Sequence, residues 1–152
     1  MARKIRMGFI GAGAMGYSHL QLFHQECSQQ AEAAALCARD SGRIKRAMAL
    51  APGMMLFKKE SDLIQSDLDA VVISSPNFTH VPLALAALKA GKHVFLEKPV
   101  GITPAECQQL LRATAKSDRV LIIGHELRYS PYFAKIKQLI DRGAVGLSLI
   151  HI

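Results

Sequence analysis

Ile5-Arg6-Met7-Gly8-Phe9-Ile10-Gly11-Ala12-Gly13-Ala14-Met15-Gly16 runs from a short apolar segment straight into a complete G-x-G-x-x-G. The apolar segment has the length and content of a buried strand. Beyond the last glycine, Leu20, Phe23 and Cys27 stand at helical spacing. A glycine hexamer alone says little, but between a strand and a helix it builds a specific turn. The first glycine turns tightly, the second lets main chain approach a pyrophosphate, and the third lets helix and strand pack closely. Free N–H groups at the helix start then face the phosphates.

The same alternation continues outward from this turn. Residues 5–10, 33–37, 54–57, 70–73, 93–96 and 120–123 read as buried strands. Between them, helical spacing recurs at Val81, Leu85 and Leu88 and again at Cys107, Leu110, Leu111 and Thr114. Strand, helix, strand repeated in this way predicts an α/β fold, a Rossmann-type doubly wound parallel sheet covered on both faces. Thr103-Pro104-Ala105-Glu106 is a capping box with proline at the first helical position, so a helix starts at Pro104. Gly91 and Gly143 end helices, and Pro52-Gly53 is a turn before the third strand.

The chain has 152 residues, 50% hydrophobic and 20% charged, which describes a globular protein and excludes disordered, collagen-like and membrane-spanning classes. Lys+Arg 19 against Asp+Glu 12 gives a net charge of +7. The basic residues are spread along the chain and read as a solvated face, so neither a nucleic-acid nor a membrane partner is expected. Arg3, Lys4 and Arg6 before an apolar run imitate a signal peptide, but the glycines from Gly8 to Gly16 interrupt that run. The 3 cysteines have no C-x-x-C spacing, which argues against a disulfide framework or a metal site and suits a reducing cytoplasm.

A dinucleotide-binding turn calls for an acidic residue about 20 positions on, at the end of the second strand, to hold the adenosine ribose. Here that strand ends Leu36-Cys37-Ala38-Arg39-Asp40. If Ala38 holds the acid's place, the site lacks a carboxylate that would repel a 2′-phosphate and gains the guanidinium of Arg39 beside it, which favours NADP over NAD. Ser41 and Arg43 can add phosphate contacts. Asp40 could serve as the acid if the strand runs two residues longer, and Arg39 would then be a solvated loop charge.

Asp69-Ala70-Val71-Val72-Ile73-Ser74-Ser75-Pro76-Asn77-Phe78-Thr79-His80, followed by Ala90-Gly91-Lys92-His93-Val94-Phe95-Leu96-Glu97-Lys98-Pro99, resembles the Gfo/Idh/MocA oxidoreductases, relatives of glucose-fructose oxidoreductase and inositol dehydrogenase. The similarity runs from about Ile5 to Gly146. It implies an NAD(P)-dependent dehydrogenase acting on a sugar, polyol or inositol-like hydroxyl, with a second, larger α/β domain that carries most substrate contacts and builds a homo-oligomer. By motif, Gly11, Gly13, Ala14 and Met15 match the dinucleotide loop. Ser75, Pro76, Asn77 and His80 match the turn after the fourth strand, and Glu97 and Lys98 match the E-K-P segment. Arg128 and Tyr129 match the segment leading into the second domain, where substrate contacts begin.

Lys98 is the candidate catalytic residue. An ammonium beside a cationic nicotinamide can hold a carbinol hydroxyl and share its proton, with Glu97 holding the lysine or the cofactor amide. The resemblance also raises the expectation of a cis Lys98-Pro99 bond, which would aim Lys98 into the cleft. His80, at the entrance of a helix, suits a cap, a packing role or a ligand contact. His125 reads as a strand-end polar residue. Tyr132, Phe133, Ile136, Leu139 and Ile140 form an apolar helix face that would pack on the sheet or on a second domain.

The expected organisation is a dinucleotide-binding domain over 1–124 and a connecting segment and helix over 125–146. On the resemblance, a second α/β domain is expected to follow, and the chain reads as truncated. Leu147-Ser148-Leu149-Ile150-His151-Ile152 matches the translated end of a transposon adapter and is expected to be non-native. The competing reading of that tail is the first strand of the next domain. A different functional class remains open, a dinucleotide-sensing regulator of the same fold without turnover.

Overall fold

The computed structural model describes residues 3–144. The expectations for 147–152 lie outside them. Six strands form one sheet in the order β3-β2-β1-β4-β5-β6. They are β1 (Ile5–Ile10), β2 (Ala31–Cys37), β3 (Met55–Phe57), β4 (Ala70–Ile73), β5 (His93–Leu96) and β6 (Leu121–Ile123). All pairings are parallel, so each strand needs a crossover, and the crossovers are helical. The helices are α1 (Ala14–Glu26), α2 (Ser41–Leu50), α3 (Glu60–Gln65), α4 (His80–Lys89), α5 (Pro104–Ala115) and α6 (Pro131–Asp141).

Residues on a strand alternate between faces, and here both faces are covered. Phe9, Leu36 and Val72 pack with Leu20 of α1, Ala47 of α2 and Met54 on one side. Ile10, Val71 and Ile73 pack with Leu63, Ile64, Val81, Leu88 and Leu110 of α3, α4 and α5 on the other. The apolar runs therefore lack polar alternation because no central strand has a wet face.

The capping box is present, with Thr103 Oγ1 accepting from Glu106 N at 3.2 Å and Glu106 Oε2 accepting from Thr103 N at 3.0 Å. Helix α6 does not pack on the sheet: it buries no residue, and Tyr132 and Ile140 are exposed. That removes one of the two expected places for its apolar face. Among the described residues no helix is long and apolar enough to cross a membrane.

Strand order reverses between β1 and β4, where the crossover chains leave in opposite directions. In open parallel sheets this reversal opens a crevice at the carboxyl ends of the strands. The glycine turn, the Ser75-to-His80 turn, Glu97-Lys98-Pro99 and the Arg128-Tyr129 segment each follow one of those ends.

Candidate functional site

The glycine turn leaves β1 with Gly11 at φ +101°, a conformation that side-chain-bearing residues rarely adopt. Its N–H donates to Cys37 O at 2.9 Å, and a Cβ there would lie 2.6 Å from Ser74 O. The turn is thus wedged between the ends of β2 and β4. A Cβ on Gly16 would overlap the Gly11 carbonyl oxygen, which keeps α1 tight against the turn. Gly13 caps α1 with no side-chain hydrogen bond, and no acidic residue lies in the first turn. The leading N–H groups, from Ala14 and Met15 onward, therefore point out with the positive end of the helix dipole.

A cleft of about 340 Å³ opens above this turn and is lined by Gly11, Gly13, Ala38, Arg39, Ser75 and Pro76 among others. It brings together the first part of the predicted dinucleotide set. Strand β2 ends at Cys37, so the longer strand that would make Asp40 the ribose acid does not form. Asp40 instead caps α2, its Oδ1 accepting from Arg43 N at 2.8 Å. Arg39 is 88% exposed with Nη2 3.3 Å from Glu60 Oε1, a loose pair in water. Arg43 reaches back over the turn, with Nη1 3.8 Å from the position a Gly13 Cβ would take. The cleft wall at β2 thus carries two guanidinium groups and no carboxylate at Ala38, with the carboxylates of Asp40 and Glu60 also lining the cleft.

At the end of β4, Thr79 Oγ1 donates to Pro76 O at 2.7 Å and lies 2.6 Å from Ser75 Oγ. A hydroxyl has one hydrogen, so Ser75 donates to Thr79 and keeps only acceptor capacity toward the cleft. Asn77 is exposed at the start of a 3-10 turn, Asn77–Thr79. His80 corrects the expectation of a ligand contact. It is 1% exposed, with Nδ1 2.7 Å from Pro99 O and Nε2 2.9 Å from Ser75 O, so neither ring nitrogen is free.

Beyond β5, the Lys98-Pro99 bond is cis. The Lys98 side chain is 46% exposed and its Nζ lies 3.9 Å from Glu126 Oε1. Glu97 holds the lysine through its main chain rather than its ammonium. Its buried carboxylate accepts the Lys98 main-chain N–H through Oε2 at 3.0 Å and meets His19 Nε2 through Oε1 at 2.6 Å. Sequence reasoning missed His19. The sequence carried only a general signal, that a carboxyl at a strand end in an apolar sheet needs a buried partner, without saying which residue supplies it. Glu126 opens a 3-10 turn, Glu126–Tyr129, that also carries Arg128 and Tyr129, with Tyr129 81% exposed. Among the described residues no cluster of His, Cys, Asp and Glu could hold a metal ion.

A family model described as an oxidoreductase family with an NAD-binding Rossmann fold, Gfo/Idh/MocA, matches residues 5–125. The chain belongs to the Gfo/Idh/MocA family. Similar proteins include an inositol 2-dehydrogenase of Salmonella paratyphi B, 33% identical over 149 residues. That match covers 96% of this chain and 44% of the relative, so the chain spans less than half the length of the relative it matches. Among solved structures, scyllo-inositol dehydrogenase from Lactobacillus casei with bound NAD(H) and scyllo-inositol superposes with TM-score 0.84 at 30% identity, over 95% of this chain and 43% of that one. A 3-ketoreductase from Actinomadura kijaniata in complex with NADP superposes with TM-score 0.81 at 25% identity, over 95% of this chain and 44% of that one. Solved structures similar to this chain thus hold NAD(H) in one case and NADP in another.

Proposed function

We propose that this chain is the cofactor-binding part of an NAD(P)-dependent oxidoreductase that moves hydride to or from a hydroxyl-bearing carbon of a sugar, polyol or inositol-like substrate, with NADP(H) preferred. Residues 1–124 are the dinucleotide-binding unit and 125–146 connect it to further chain. The fit to a dinucleotide rests on the open start of α1, the space over Gly13 and the cleft shared by the ends of β1, β2 and β4. The single observation that supports NADP(H) is the pair of guanidinium groups, Arg39 and Arg43, around a ribose position where Ala38 replaces a carboxylate.

When bound, the nicotinamide supplies the hydride donor or acceptor. The chain supplies the rest. Gly11, Gly13, Ala14 and Met15 present main-chain N–H groups to the diphosphate, Arg39 and Arg43 face the 2′-phosphate, and Ser75, Pro76 and Asn77 border the path toward the nicotinamide end. Lys98, half exposed and 3.9 Å from Glu126, holds the substrate hydroxyl and shares its proton, with Arg128 and Tyr129 beside the substrate. Free thiols at Cys27, Cys37 and Cys107 suit a reducing compartment, the cytoplasm.

The test is a titration of the chain with NADPH and with NADH, followed by nicotinamide fluorescence, which the absence of tryptophan favours. NADPH is expected to bind more tightly. Each exposed guanidinium contributes about 1 kcal/mol, so Arg39→Ala weakens NADPH roughly 5-fold and leaves NADH unchanged. Tighter NADH binding that Arg39→Ala does not alter would overturn the preference. In a protein carrying the relatives' remaining length, Lys98→Ala abolishes turnover and spares cofactor binding.

A further inference from the structure

We infer that His19 is a positioning residue for Lys98, acting through the carboxylate of Glu97. The inference rests on the proposed role of Lys98 and adds a residue to it.

Glu97 is 4% exposed, and a carboxylate removed from water is stable there only when its oxygens are hydrogen-bonded. Each oxygen has one protein partner. A carboxylate has lone pairs and no proton, so His19 donates through Nε2–H to Oε1, at 2.6 Å, and Lys98 donates its main-chain N–H to Oε2, at 3.0 Å. The surroundings hold this arrangement in place. The His19 ring meets Phe95 edge-on, with centroids 5.0 Å apart, and a Cβ on Gly124 would come 3.0 Å from Glu97 Oε1. The carboxylate cannot swing without losing a bond or meeting β6's end.

On the other side of Lys98, the Pro99 carbonyl lies 2.7 Å from His80 Nδ1, whose Nε2 is 2.9 Å from Ser75 O. Lys98 therefore sits between two residues, each fixed by an imidazole. One imidazole comes from α1, the helix opened by the glycine turn, and the other from α4, the helix opened by Ser75-Pro76-Asn77. Among the described residues the Lys98 ammonium makes no hydrogen bond, and its ion pair with Glu126 is long, at 3.9 Å. Its placement is consequently set through the main chain, and His19 ties that main chain to the helix whose start faces the diphosphate. A residue that only filled space would stabilise the fold without fixing where the lysine points.

The test is a carbon–proton NMR spectrum of the full 152-residue chain, labelled at lysine Cε and saturated with NADPH. Lys98→Ala identifies the Lys98 signal by its loss. In the unmodified chain that signal shows an Overhauser contact to the nicotinamide ring. His19→Asn, whose amide is too short to reach Glu97, is expected to lose the contact and to shift the Lys98 main-chain amide while still binding NADPH. His19→Gln, which reaches as far as Nε2, restores both. If His19→Asn fails to fold, Glu97→Gln is read in the same way, since it keeps the shape and removes the charge between His19 and Lys98. A Lys98 signal and contact unchanged in the folded variant overturn the proposal. Absence of any nicotinamide contact in the unmodified chain overturns the reading of Lys98 itself, a distinct failure seen before any His19 variant is made.

Discussion

Gly16→Ala tests the packing that holds the dinucleotide turn. A Cβ at position 16 overlaps the Gly11 carbonyl oxygen, comes within 2.5 Å of Ser74 Oγ and lies 3.0 Å from the Gly11 carbonyl carbon, where ordinary contact begins near 3.4 Å. Ser74 can rotate away, because its bonds to Ile10 O and Gly11 O are long, at 3.3 and 3.4 Å. The Gly11 carbonyl has no such freedom. Its residue is held at φ +101° with Ser74 main chain against the other side, so turn and helix must separate as units. Overpacking of this kind destabilises by about 1–3 kcal/mol. For a domain of this length that lowers the thermal midpoint by about 2–12 °C. Gly53→Ala is the control, since nothing lies within 4 Å of its added Cβ. It is expected to be neutral or to stabilise by up to about 1 kcal/mol through the unfolded state. The assay is a circular-dichroism melt of each variant beside an NADPH titration. NADPH affinity should fall further in Gly16→Ala than the melt alone implies, because the displaced atoms belong to the turn. A Gly16→Ala chain that melts with the parent and binds NADPH equally would refute the close-packing argument.

Three further outcomes are expected. Thr103→Ala removes one half of the capping box and should cost about 1 kcal/mol, with Thr103→Ser near neutral, as measured by urea unfolding. The Asp69 carboxyl is held below the usual range first by the Arg6 main-chain N–H at 2.7 Å, against some burial, and then by the Arg3 guanidinium. A depressed folded value gives stability that is present above the unfolded value of about 3.9 and is lost as pH falls through the folded one. Urea midpoints of Asp69→Asn should therefore vary less with pH on the acid side than those of the parent. Burial, reinforced by Glu60 and opposed by Arg39, pushes the Cys37 thiol up to about 11. A thiol reagent near pH 8 should label exposed Cys27 at once and Cys37 only after unfolding, and rapid native labelling of Cys37 would contradict its burial.

The sheet was readable because an all-parallel sheet leaves unbroken apolar runs, and those of β1, β4 and β5 carry their own boundaries in Gly11, Ser74 and Glu97. Strand β2 starts at Ala31, two residues earlier than its apolar run suggests, because Glu32 turns its carboxylate to Arg6 at 2.8 Å. Helices α2 and α3 were not legible. The first is short and polar with Ala47 its one buried residue, and the second has only six residues, with Leu63 and Ile64 adjacent rather than at helical spacing. At the site, turns and strand ends were visible as motifs, whereas bonds between motifs were not. Nothing in P-N-x-x-H says that its histidine closes on Pro99, nor in E-K-P that its glutamate closes on His19. Such pairings depend on the distance between two strand ends, a property of the folded sheet rather than of either segment.

The order in which the strands neighbour one another also bears on how the chain reaches this state. Strand β1 lies between β2 and β4, pairing Ile5 with Ala31 on one side and Met7 with Ala70 on the other. Closing the second of these loops loses chain entropy before any pairing compensates for it, so parallel sheets of this order form slowly. During synthesis at roughly 5–20 residues per second, β4 emerges some seconds after β1. Until then Phe9 and Ile10, each 1% exposed in the finished molecule, have a neighbour on one edge only. Docking of β4 onto β1 is therefore the expected rate-limiting event, and trimming Val71 or Ile73 should slow refolding as well as hasten unfolding.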